Sequence, residues 1–374
     1  MSGIYIHIPF CRSKCGYCAF YSRVGAESSL KDFLVALEKE FSSRQHELIS
    51  PVNTIYIGGG TPSLLPAEAM MRIAAMLEPF FSEDLKEFTI EVNPDDVSDQ
   101  KIGLWKSIGV NRVSMGVQSF VDRELSIIGR RHDSSQAQRA VEKLTENFSN
   151  VSLDLIFGLP SQSYESWKYS VDSALGFKPQ HISAYSLTFE ERTRFSHLLR
   201  AGEIAEADED LSEKMFSYLN NRLADEGYLH YEISNFALPG FHSVHNSSYW
   251  QGIPYLGLGP GASSYDGRFT RRSNPGDLKK YVGHFKAGSG TPFYTEETLG
   301  IDELQEEYIL TRLRTAKGIS IDEFSSAFGA EAASRLVFEA RKLVSSGNIV
   351  VGDGKIRLTE AGFLVSDSVI VSLL

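Results

Sequence analysis

The sequence is poor in cysteine. It has three in 374 residues, and Cys11, Cys15 and Cys18 lie within eight consecutive positions. A disulfide framework uses an even number of cysteines in an oxidising compartment, and structural thiols of a core would be spread along the chain. The clustering therefore indicates one short loop that wraps a single metal centre.

Long hydrophobic runs and an excess of basic charge are missing as well. No stretch approaches the ~20 apolar residues of a membrane span, and Met1–Phe10 contains no Lys or Arg and does not resemble a signal peptide. The formal net charge is −11, from 37 basic and 48 acidic residues, which disfavours a nucleic acid partner. We predict a cytoplasmic protein whose only membrane association would be peripheral, through a partner.

The C-x3-C-x2-C spacing suits zinc or an iron–sulfur cluster. Structural zinc takes four ligands, and His7 could complete a Cys3His set. A cubane 4Fe-4S cluster normally takes four thiolates, and the chain has no fourth cysteine. In the second case one iron stays open to a substrate or cofactor, which would make the cluster chemically active.

The first half of the chain alternates short β-rich runs with amphipathic helical stretches, a pattern that predicts a parallel sheet, open or curled into a partial barrel. The predicted strands are Gly3–Ile8, Val52–Ile57, Glu87–Val92, Arg112–Val117, Val151–Phe157 and His181–Leu187. The predicted helices between them include Leu30–Phe41, Ala67–Leu77, Ser135–Phe148 and Tyr164–Leu175.

Unusual residues fall on these strands or just after them. Cys11 follows the first strand and Gly58–Pro62 the second, while Glu91, Gln118 and Asp154 belong to the next three. Side chains at the ends of barrel strands converge on one mouth. Because a covered parallel sheet is buried on both faces, Glu91 and Asp154 must have polar partners.

The segment Tyr5-Ile-His7-Ile-Pro9-Phe10-Cys11-x3-Cys15-x2-Cys18 resembles the radical S-adenosylmethionine (SAM) superfamily, and within it the branch of oxygen-independent coproporphyrinogen oxidases and HemW proteins. The similarity covers most of the chain. It implies an α/β fold, a partial (β/α)6 barrel, with a 4Fe-4S cluster. In this superfamily the amino and carboxylate groups of SAM chelate the open iron, and the reduced cluster cleaves SAM to a 5′-deoxyadenosyl radical.

The resemblance also implies a SAM site. The Gly58-Gly59-Gly60-Thr61-Pro62 segment matches the GGxTP motif that holds the SAM amino group. Arg130 would pair with the SAM carboxylate, because the planar guanidinium of Arg can donate two parallel hydrogen bonds to a carboxylate. Asp154 would pair with the ribose hydroxyls. The other positions implied are Glu91 and Gln118 in contact with SAM, Tyr5 beside the cluster, and the backbone of Ala184 beside adenine. Arg131 and His132 adjoin this site and are expected at the surface.

Three domains are predicted: the barrel over residues 1–230, an extension over 231–296, and a winged-helix-like α+β domain over 297–374. The extension carries His245-Asn246-x-x-Tyr249-Trp250, which matches the HNxxYW motif that the HemW family associates with heme. This match makes His245 the candidate axial heme ligand. The last domain is predicted from helices at 303–314, 321–328 and 331–346, a hairpin over 349–358 and a closing helix from Thr359. The acidic balance of the chain favours a packing or partner-docking role over DNA binding.

Two departures from the oxidases favour the HemW side of the branch. The oxidases have a fourth cysteine where this chain has Phe20, and a longer segment before the cluster motif. The expected function is a heme chaperone that binds heme, a 4Fe-4S cluster and SAM and passes heme to an acceptor such as a respiratory cytochrome. The alternatives are coproporphyrinogen III oxidation or a related radical tetrapyrrole reaction, and a zinc-binding interaction protein.

Overall fold

The computed structural model describes residues 2–48, 51–288 and 290–374. Within them, twelve strands form one sheet in the order β12-β11-β10-β9-β1-β2-β3-β4-β5-β6-β8-β7. In chain order these strands are β1 (Ser2–Ile8), β2 (Val52–Gly59), β3 (Glu87–Val92), β4 (Arg112–Gln118), β5 (Val151–Phe157), β6 (His181–Ser186), β7 (Leu229–Glu232), β8 (Asn235–Ala237), β9 (Tyr255–Leu258), β10 (Ser263–Tyr265), β11 (Thr270–Ser273) and β12 (Thr295–Thr298).

Strands β1 to β6 are parallel neighbours, as predicted. Strand β9 pairs parallel with the other side of β1, so a seventh parallel strand joins the barrel. Strands β8 and β7 extend the β6 edge antiparallel, and β10 to β12 extend the β9 edge in the same way. The segment predicted as a separate extension thus adds strands to both edges of the sheet, and the predicted boundary at residue 230 falls inside β7.

Helices cover the outer face of the sheet, apart from the short helix Val244–Trp250, which lies across one end of the barrel. They are α1 (Leu30–Arg44), α2 (Ala67–Leu77), α3 (Asp99–Ser107), α4 (Asp122–Ile127), α5 (Ser134–Asn147), α6 (Tyr164–Gly176), α7 (Arg194–Arg200), α8 (Glu209–Asp225), α9 (Val244–Trp250) and α10 (Leu278–Ala287). Capping boxes fix where α5 and α6 begin, at Asp133 with Gln136 and at Ser163 with Ser166. No described helix is both long enough and apolar enough to cross a bilayer.

Alternation along the strands separates an apolar face from a polar one. In β5, Leu153 and Leu155 belong to the hydrophobic core, whereas Ser152 and Asp154 lie on the other face. Since successive side chains of a strand point to opposite faces, the polar side chains of β1 to β6 fill the barrel interior. This result confirms the predicted face assignment of Asp154.

The C-terminal segment forms a small α+β unit of the predicted winged-helix kind. It consists of α11 (Ile301–Leu313), α12 (Ile321–Phe328), α13 (Ala330–Leu343), α14 (Glu360–Leu364) and α15 (Ser366–Val371), with strands β13 (Ile319–Ser320), β14 (Ile349–Gly352) and β15 (Lys355–Leu358). The strands form a sheet of order β13-β15-β14. The three helices and the hairpin were predicted; β13 and the division of the closing helix into two were not.

Candidate functional site

The three cysteines lie in a loop that directly follows β1. Residues Phe10–Cys11 pair in parallel with Arg23–Val24 and so close the loop around the thiols. All three thiols are free and partly exposed. Thr61 Oγ1 donates to Cys11 Sγ at 3.4 Å and Arg130 Nη1 lies 3.8 Å from Cys15 Sγ, so the loop touches the side chains predicted to hold SAM.

His7 anchors the far side of this loop. Its Nε2 donates to the carbonyl of Tyr21 at 2.7 Å, and its Nδ1 lies 3.1 Å from the Tyr5 hydroxyl. Both nitrogens are therefore engaged, and His7 offers no lone pair to a metal in this structure. Burial also lowers the pKa of His7, so its ring is neutral near pH 7.

The donor set of the loop fits a cluster better than a single ion. Among residues 2–48, 51–288 and 290–374, no group of three or more His, Cys, Asp or Glu side chains is arranged to hold one metal ion. Tetrahedral zinc needs four ligands that converge at about 2.0–2.3 Å. A cubane is a larger body with thiolates at separate corners, so its sulfurs need not meet at one point.

The glycine-rich turn after β2 brings backbone against the cysteine loop. A Cβ at Gly60 would lie 2.7 Å from the carbonyl oxygen of Phe10 and 3.1 Å from Cys11 Sγ. Gly59 has a φ of +108°, and a Cβ there would lie 2.6 Å from the His7 ring. Only glycine permits this approach, which gives a physical reason for the motif independent of resemblance.

Glu91 is tied to the same turn. Tyr56 OH donates to its Oε1 at 2.9 Å and the Gly59 amide donates to its Oε2 at 3.0 Å. Burial raises the pKa of Glu91 to about 7, although these hydrogen bonds oppose the shift. Glu91 therefore has the polar partners that the sequence required, and it is poised between its two protonation states near neutral pH.

Asp154 is the second carboxylate of the barrel interior, and it is partly buried. Ser114 Oγ donates to it at 3.2 Å, and Ser183 also hydrogen-bonds it. Burial raises the pKa of Asp154 to about 6, while these bonds and the charge of Arg112 lower it. The predicted need for polar partners is confirmed here too.

Gln118, Arg130 and Asn93 form one cluster at the end of β4. Arg130 Nη2 donates to Asn93 Oδ1 at 2.8 Å and to the carbonyl of Gly116. A Cβ at Gly116 would lie 2.7 Å from Gln118 Nε2 and 3.2 Å from Arg130 Nη2, and Gln118 has a φ of +70°. The structure therefore brings Gln118 and Arg130 together, as the sequence implied.

Asn93 is the residue of this cluster that sequence reasoning did not assign. Its Oδ1 accepts from Arg130, and its Nδ2 lies 3.4 Å from Thr61 Oγ1, so it joins the glycine turn to Arg130. The sequence pattern could have indicated Asn93, because it follows Glu91 by two residues and so lies on the same polar face of the extended chain.

Three other predicted positions have distinct surroundings. Tyr5 lies inside the barrel, 6.1 Å from Tyr56 between ring centroids. Ala184 is buried in β6, and its amide donates to the carbonyl of Ser234 at 2.8 Å. His132, expected at the surface, is buried instead, with Nε2 3.1 Å from the Val117 carbonyl, while the adjoining Arg131 pairs with Asp95.

His245 lies at the opposite end of the barrel from the cysteines, beside the first residues of β1 to β3. Its Nδ1 is 2.8 Å from Thr54 Oγ1 and its Nε2 is 2.8 Å from Tyr249 OH. The side chain is buried, and burial lowers its pKa to about 3. Neither nitrogen is free in this structure, so His245 could bind heme iron only after one of these bonds broke.

The helix that carries His245 is held to the barrel by Glu87. The Glu87 carboxylate accepts from Ser243 Oγ at 3.2 Å and from the Val244 and His245 amides at 2.5 and 3.4 Å. A buried acceptor at a helix N-terminus satisfies donors that the helix leaves unpaired. The HNxxYW segment thus closes the end of the barrel that lies opposite the cysteine loop.

Comparison with known families agrees with this geometry. Residues 5–174 match the radical SAM superfamily, so the barrel and its cysteine loop define a radical SAM protein. Residues 302–365 match the HemN C-terminal domain.

Full-length relatives narrow the class to one family. The protein named heme chaperone HemW of Lactococcus lactis is 36% identical over 367 residues, which cover 98% of this chain and 95% of the relative. The protein of the same name from Bacillus subtilis is 35% identical, with 99% and 98% covered. The chain belongs to the HemW family.

A solved structure shares the whole fold. The radical SAM enzyme coproporphyrinogen III oxidase (HemN) of Escherichia coli superposes with a TM-score of 0.84, covering 100% of this chain and 89% of that one. At 22% identity this match shows the fold. It establishes the partial barrel and the C-terminal unit as one architecture.

Proposed function

We propose that this protein is a heme chaperone that binds a 4Fe-4S cluster, SAM and heme and hands heme to an acceptor such as a respiratory cytochrome. The observation that carries the proposal is the near full-length similarity to two bacterial proteins named heme chaperone HemW. A second support is Phe20, 70% exposed at the position of the fourth cysteine of the oxidases. We also propose that the protein acts in the cytoplasm and contacts the membrane at most peripherally, through a partner.

Cys11, Cys15 and Cys18 would hold the cluster, which supplies an open iron for SAM when it is bound. Arg130 suits the SAM carboxylate because it is held in place by Asn93 and lies against the cysteine loop. Gly58, Gly59, Gly60 and Thr61 would place backbone groups around the SAM amino group. Their close packing against Glu91, His7 and Phe10 keeps this backbone fixed.

Asp154 would accept hydrogen bonds from the ribose hydroxyls in its ionised form. Glu91 and Gln118 would contact SAM from β3 and β4, Tyr5 would lie beside the cluster, and the backbone around Ala184 would flank adenine. Because the Ala184 amide is already used by Ser234, its contact with adenine would come from van der Waals packing or its carbonyl.

Two measurements on one anaerobic preparation test the function. The reconstituted protein is titrated with hemin by absorption, and a second portion is incubated with dithionite, SAM and coproporphyrinogen III. We expect heme binding without conversion of the porphyrinogen. Conversion to protoporphyrinogen IX would support the oxidase alternative. Absence of hemin binding would overturn the proposal that the protein is a heme chaperone.

A variant of the cysteine loop tests the cluster independently of heme binding. Cys15→Ser should lose iron and sulfide in elemental analysis, because a three-thiolate site would keep only two ligands. Zinc in place of iron in the wild-type protein, after strictly anaerobic purification, would support the interaction-protein alternative.

A further inference from the structure

Arg112, the first residue of β4, is a buried cation inside the barrel. Only 1% of its surface is exposed. Its Nε and Nη1 are shielded from solvent and have no hydrogen-bond partner among the described residues. A buried charge without hydrogen bonds is costly, so its place in the fold calls for a functional explanation.

Glu87, the carboxylate that acts most strongly on Arg112, takes its hydrogen bonds from other groups. It influences Arg112 through its charge. Its oxygens accept from Thr89 Oγ1 at 2.9 Å, from Ser243 Oγ at 3.2 Å and from amides at the start of α9. Arg112 is not among these described donors, so anchoring α9 does not explain it.

Strand register places Arg112 on the same interior face as the contacts of Asp154. Strands β4 and β5 pair in parallel, with Gly116 opposite Asp154. Since alternate residues of a strand share a face, Arg112 and Ser114 both point into the barrel, and Ser114 Oγ donates to Asp154 at 3.2 Å. The guanidinium thus belongs to the layer of side chains next to Asp154, on the side away from the cysteine loop.

Arg112 acts on Asp154 more strongly than Arg130 does. Burial raises the pKa of Asp154 to about 6, and four effects oppose the rise, in decreasing order: the hydrogen bond from Ser183, the charge of Arg112, the hydrogen bond from Ser114 and the charge of Arg130. Arg130 is the proposed partner of the SAM carboxylate, which would offset its charge. The charge of Arg112 has no such use, so it would still act on Asp154 when SAM is bound.

Other titratable groups face Asp154 from the surrounding elements. Glu91 on β3 also titrates near neutral pH, because burial, with a smaller contribution from the charge of Asp154, raises its pKa to about 7. The others are tyrosines whose pKa values are raised by burial, so they stay neutral in this range: Tyr56 on β2, Tyr185 on β6 and Tyr17 in the cysteine loop.

We propose that Arg112 is a positioning residue that keeps Asp154 ionised at neutral pH, in the form that accepts hydrogen bonds from the ribose hydroxyls of SAM. The inference rests on the proposed SAM site and names the charge on which its ribose contact depends. An ionised carboxylate is an acceptor at both oxygens, whereas protonation turns one of them into a donor. Arg suits this role because it stays charged throughout the pH range in which Asp154 titrates.

The test is the pH dependence of SAM binding to anaerobic, cluster-loaded full-length protein, measured by equilibrium dialysis without reductant from about pH 5 to about pH 9. Wild-type affinity should fall as the pH drops through about 6, because Asp154 is protonated there. Arg112→Met removes the charge and keeps a long side chain, and it should move this midpoint up by about one pH unit. The ionised fraction of Asp154 at pH 6 would then drop from about one half to about one tenth. Binding should therefore weaken about fivefold at that pH and stay near wild type at about pH 8.5.

Two further variants separate charge from shape. Arg112→Lys keeps a cation at the site and should keep the wild-type midpoint. Arg139→Met removes an exposed charge on α5 and should leave the profile unchanged. A loss of affinity in Arg112→Met that is equal at all pH values would overturn the inference, because a merely structural defect does not follow the ionisation of a carboxyl group.

A double variant distinguishes Asp154 from Glu91. In an Asp154→Asn protein, Arg112→Met should change SAM binding by less than about twofold at any pH, since no carboxyl group remains at position 154 to respond. A pH-dependent loss of the original size in that background would assign the effect to Glu91 and overturn the inference.

The ionisation of Asp154 can also be followed without SAM. Carbon-13 NMR of full-length protein labelled at the Asp carboxyl carbons should show a signal that titrates near pH 6 and is missing in Asp154→Asn. In Arg112→Met this signal should titrate about one pH unit higher. An unmoved midpoint would overturn the inference. Failure of the wild-type protein to bind SAM, with the shift of the NMR midpoint present, would instead overturn the proposed SAM site.

Discussion

At the scale of single residues, the glycine turn is the most constrained part of the site. Gly60 lies against the Ile8 and Phe10 carbonyls and Cys11 Sγ, and two of these neighbours are backbone that cannot rotate away. The run of three glycines in the sequence indicated either a tight turn or a close approach of the backbone to a ligand. The crowding itself appears only when β1 and β2 are placed side by side.

Gly60→Ala should therefore displace the cysteine loop and reduce cluster loading. We expect iron and sulfide per chain to fall to less than half of the wild-type value after anaerobic reconstitution, as measured by elemental analysis. Gly103→Ala is the control, since a Cβ at Gly103 in α3 meets nothing within 4 Å. That variant should load normally, with a gain in stability of about 1 kcal/mol from helix propensity. Equal loading in both variants would contradict the crowding argument.

Asp154 gives a prediction with a defined pH dependence. Its pKa is raised from 3.8 to about 6, mainly by burial. A raised carboxyl pKa means that the folded protein holds the Asp154 proton more tightly than the unfolded chain does. The free energy of unfolding is therefore highest, as far as Asp154 affects it, below pH 3.8, and it falls as the pH rises through about 6. Above that range the ionised group costs about 3 kcal/mol.

Asp154→Asn removes the ionisation and keeps the shape. The free energy of unfolding at pH 8 should rise by up to about 3 kcal/mol relative to wild type, and the difference should shrink towards zero near pH 4. Urea denaturation at both pH values measures this. Asp99→Asn, at a carboxylate 86% exposed on α3, is the control and should change stability by less than about 1 kcal/mol at either pH. A variant with no gain at pH 8 would show that Asp154 is not strained when ionised.

At the scale of elements, a buried carboxylate on α1 ties the barrel to the strands that extend it. Glu40 accepts from Arg44 Nη1 at 3.0 Å, the Gly259 amide at 2.8 Å, and Asn274 Nδ2 and Tyr281 OH, both at 2.7 Å. One side chain thus joins α1 to the loop after β9, to the end of β11 and to α10. The sequence marked α1 as amphipathic, but nothing in it indicated this junction.

Glu40→Ala should lower the free energy of unfolding by about 3–5 kcal/mol, because it leaves the buried Arg44 without one of its partners. Glu38→Ala is a close control on the same helix, since the Glu38–Arg72 pair is 42% and 32% exposed. That change should cost less than about 1 kcal/mol. Urea denaturation compares the two, and equal losses would contradict the distinction between a buried and an exposed pair.

Long, strongly patterned elements were predictable, whereas short edge strands were not. Helix α2 and strands β3 and β5 have the predicted bounds, since their periodicity runs through the whole element. Strand β9 has four residues with glycine among them, and it was not predicted. It becomes a strand because β1 leaves an edge open beside it.

At the scale of the whole molecule, one hydrophobic cluster runs from Ile4 in the barrel to Leu373 beyond α15. A smaller cluster includes Ile128 and Phe195 and supports the cysteine loop through Tyr17. A continuous core couples its parts, so the barrel and the C-terminal unit should unfold together.

We therefore expect a single urea transition, with near-UV and far-UV circular dichroism curves that coincide. Cys15→Ser should keep that transition within about 1 kcal/mol when both proteins are compared without cluster, because the cysteine loop lies outside the main core. Two separated transitions would show that the chain contains at least two cooperative units that unfold independently.

The sequence by itself determined the class of this protein, because local signals suffice for that. Three close cysteines, a glycine run after a strand and alternating polarity along β3 and β5 each act over a few residues. Tertiary structure decided the use of individual side chains. It occupied both nitrogens of His245 and added Asn93 to the site, because hydrogen-bond partners come largely from residues far apart in the chain and are known only when the strands lie side by side.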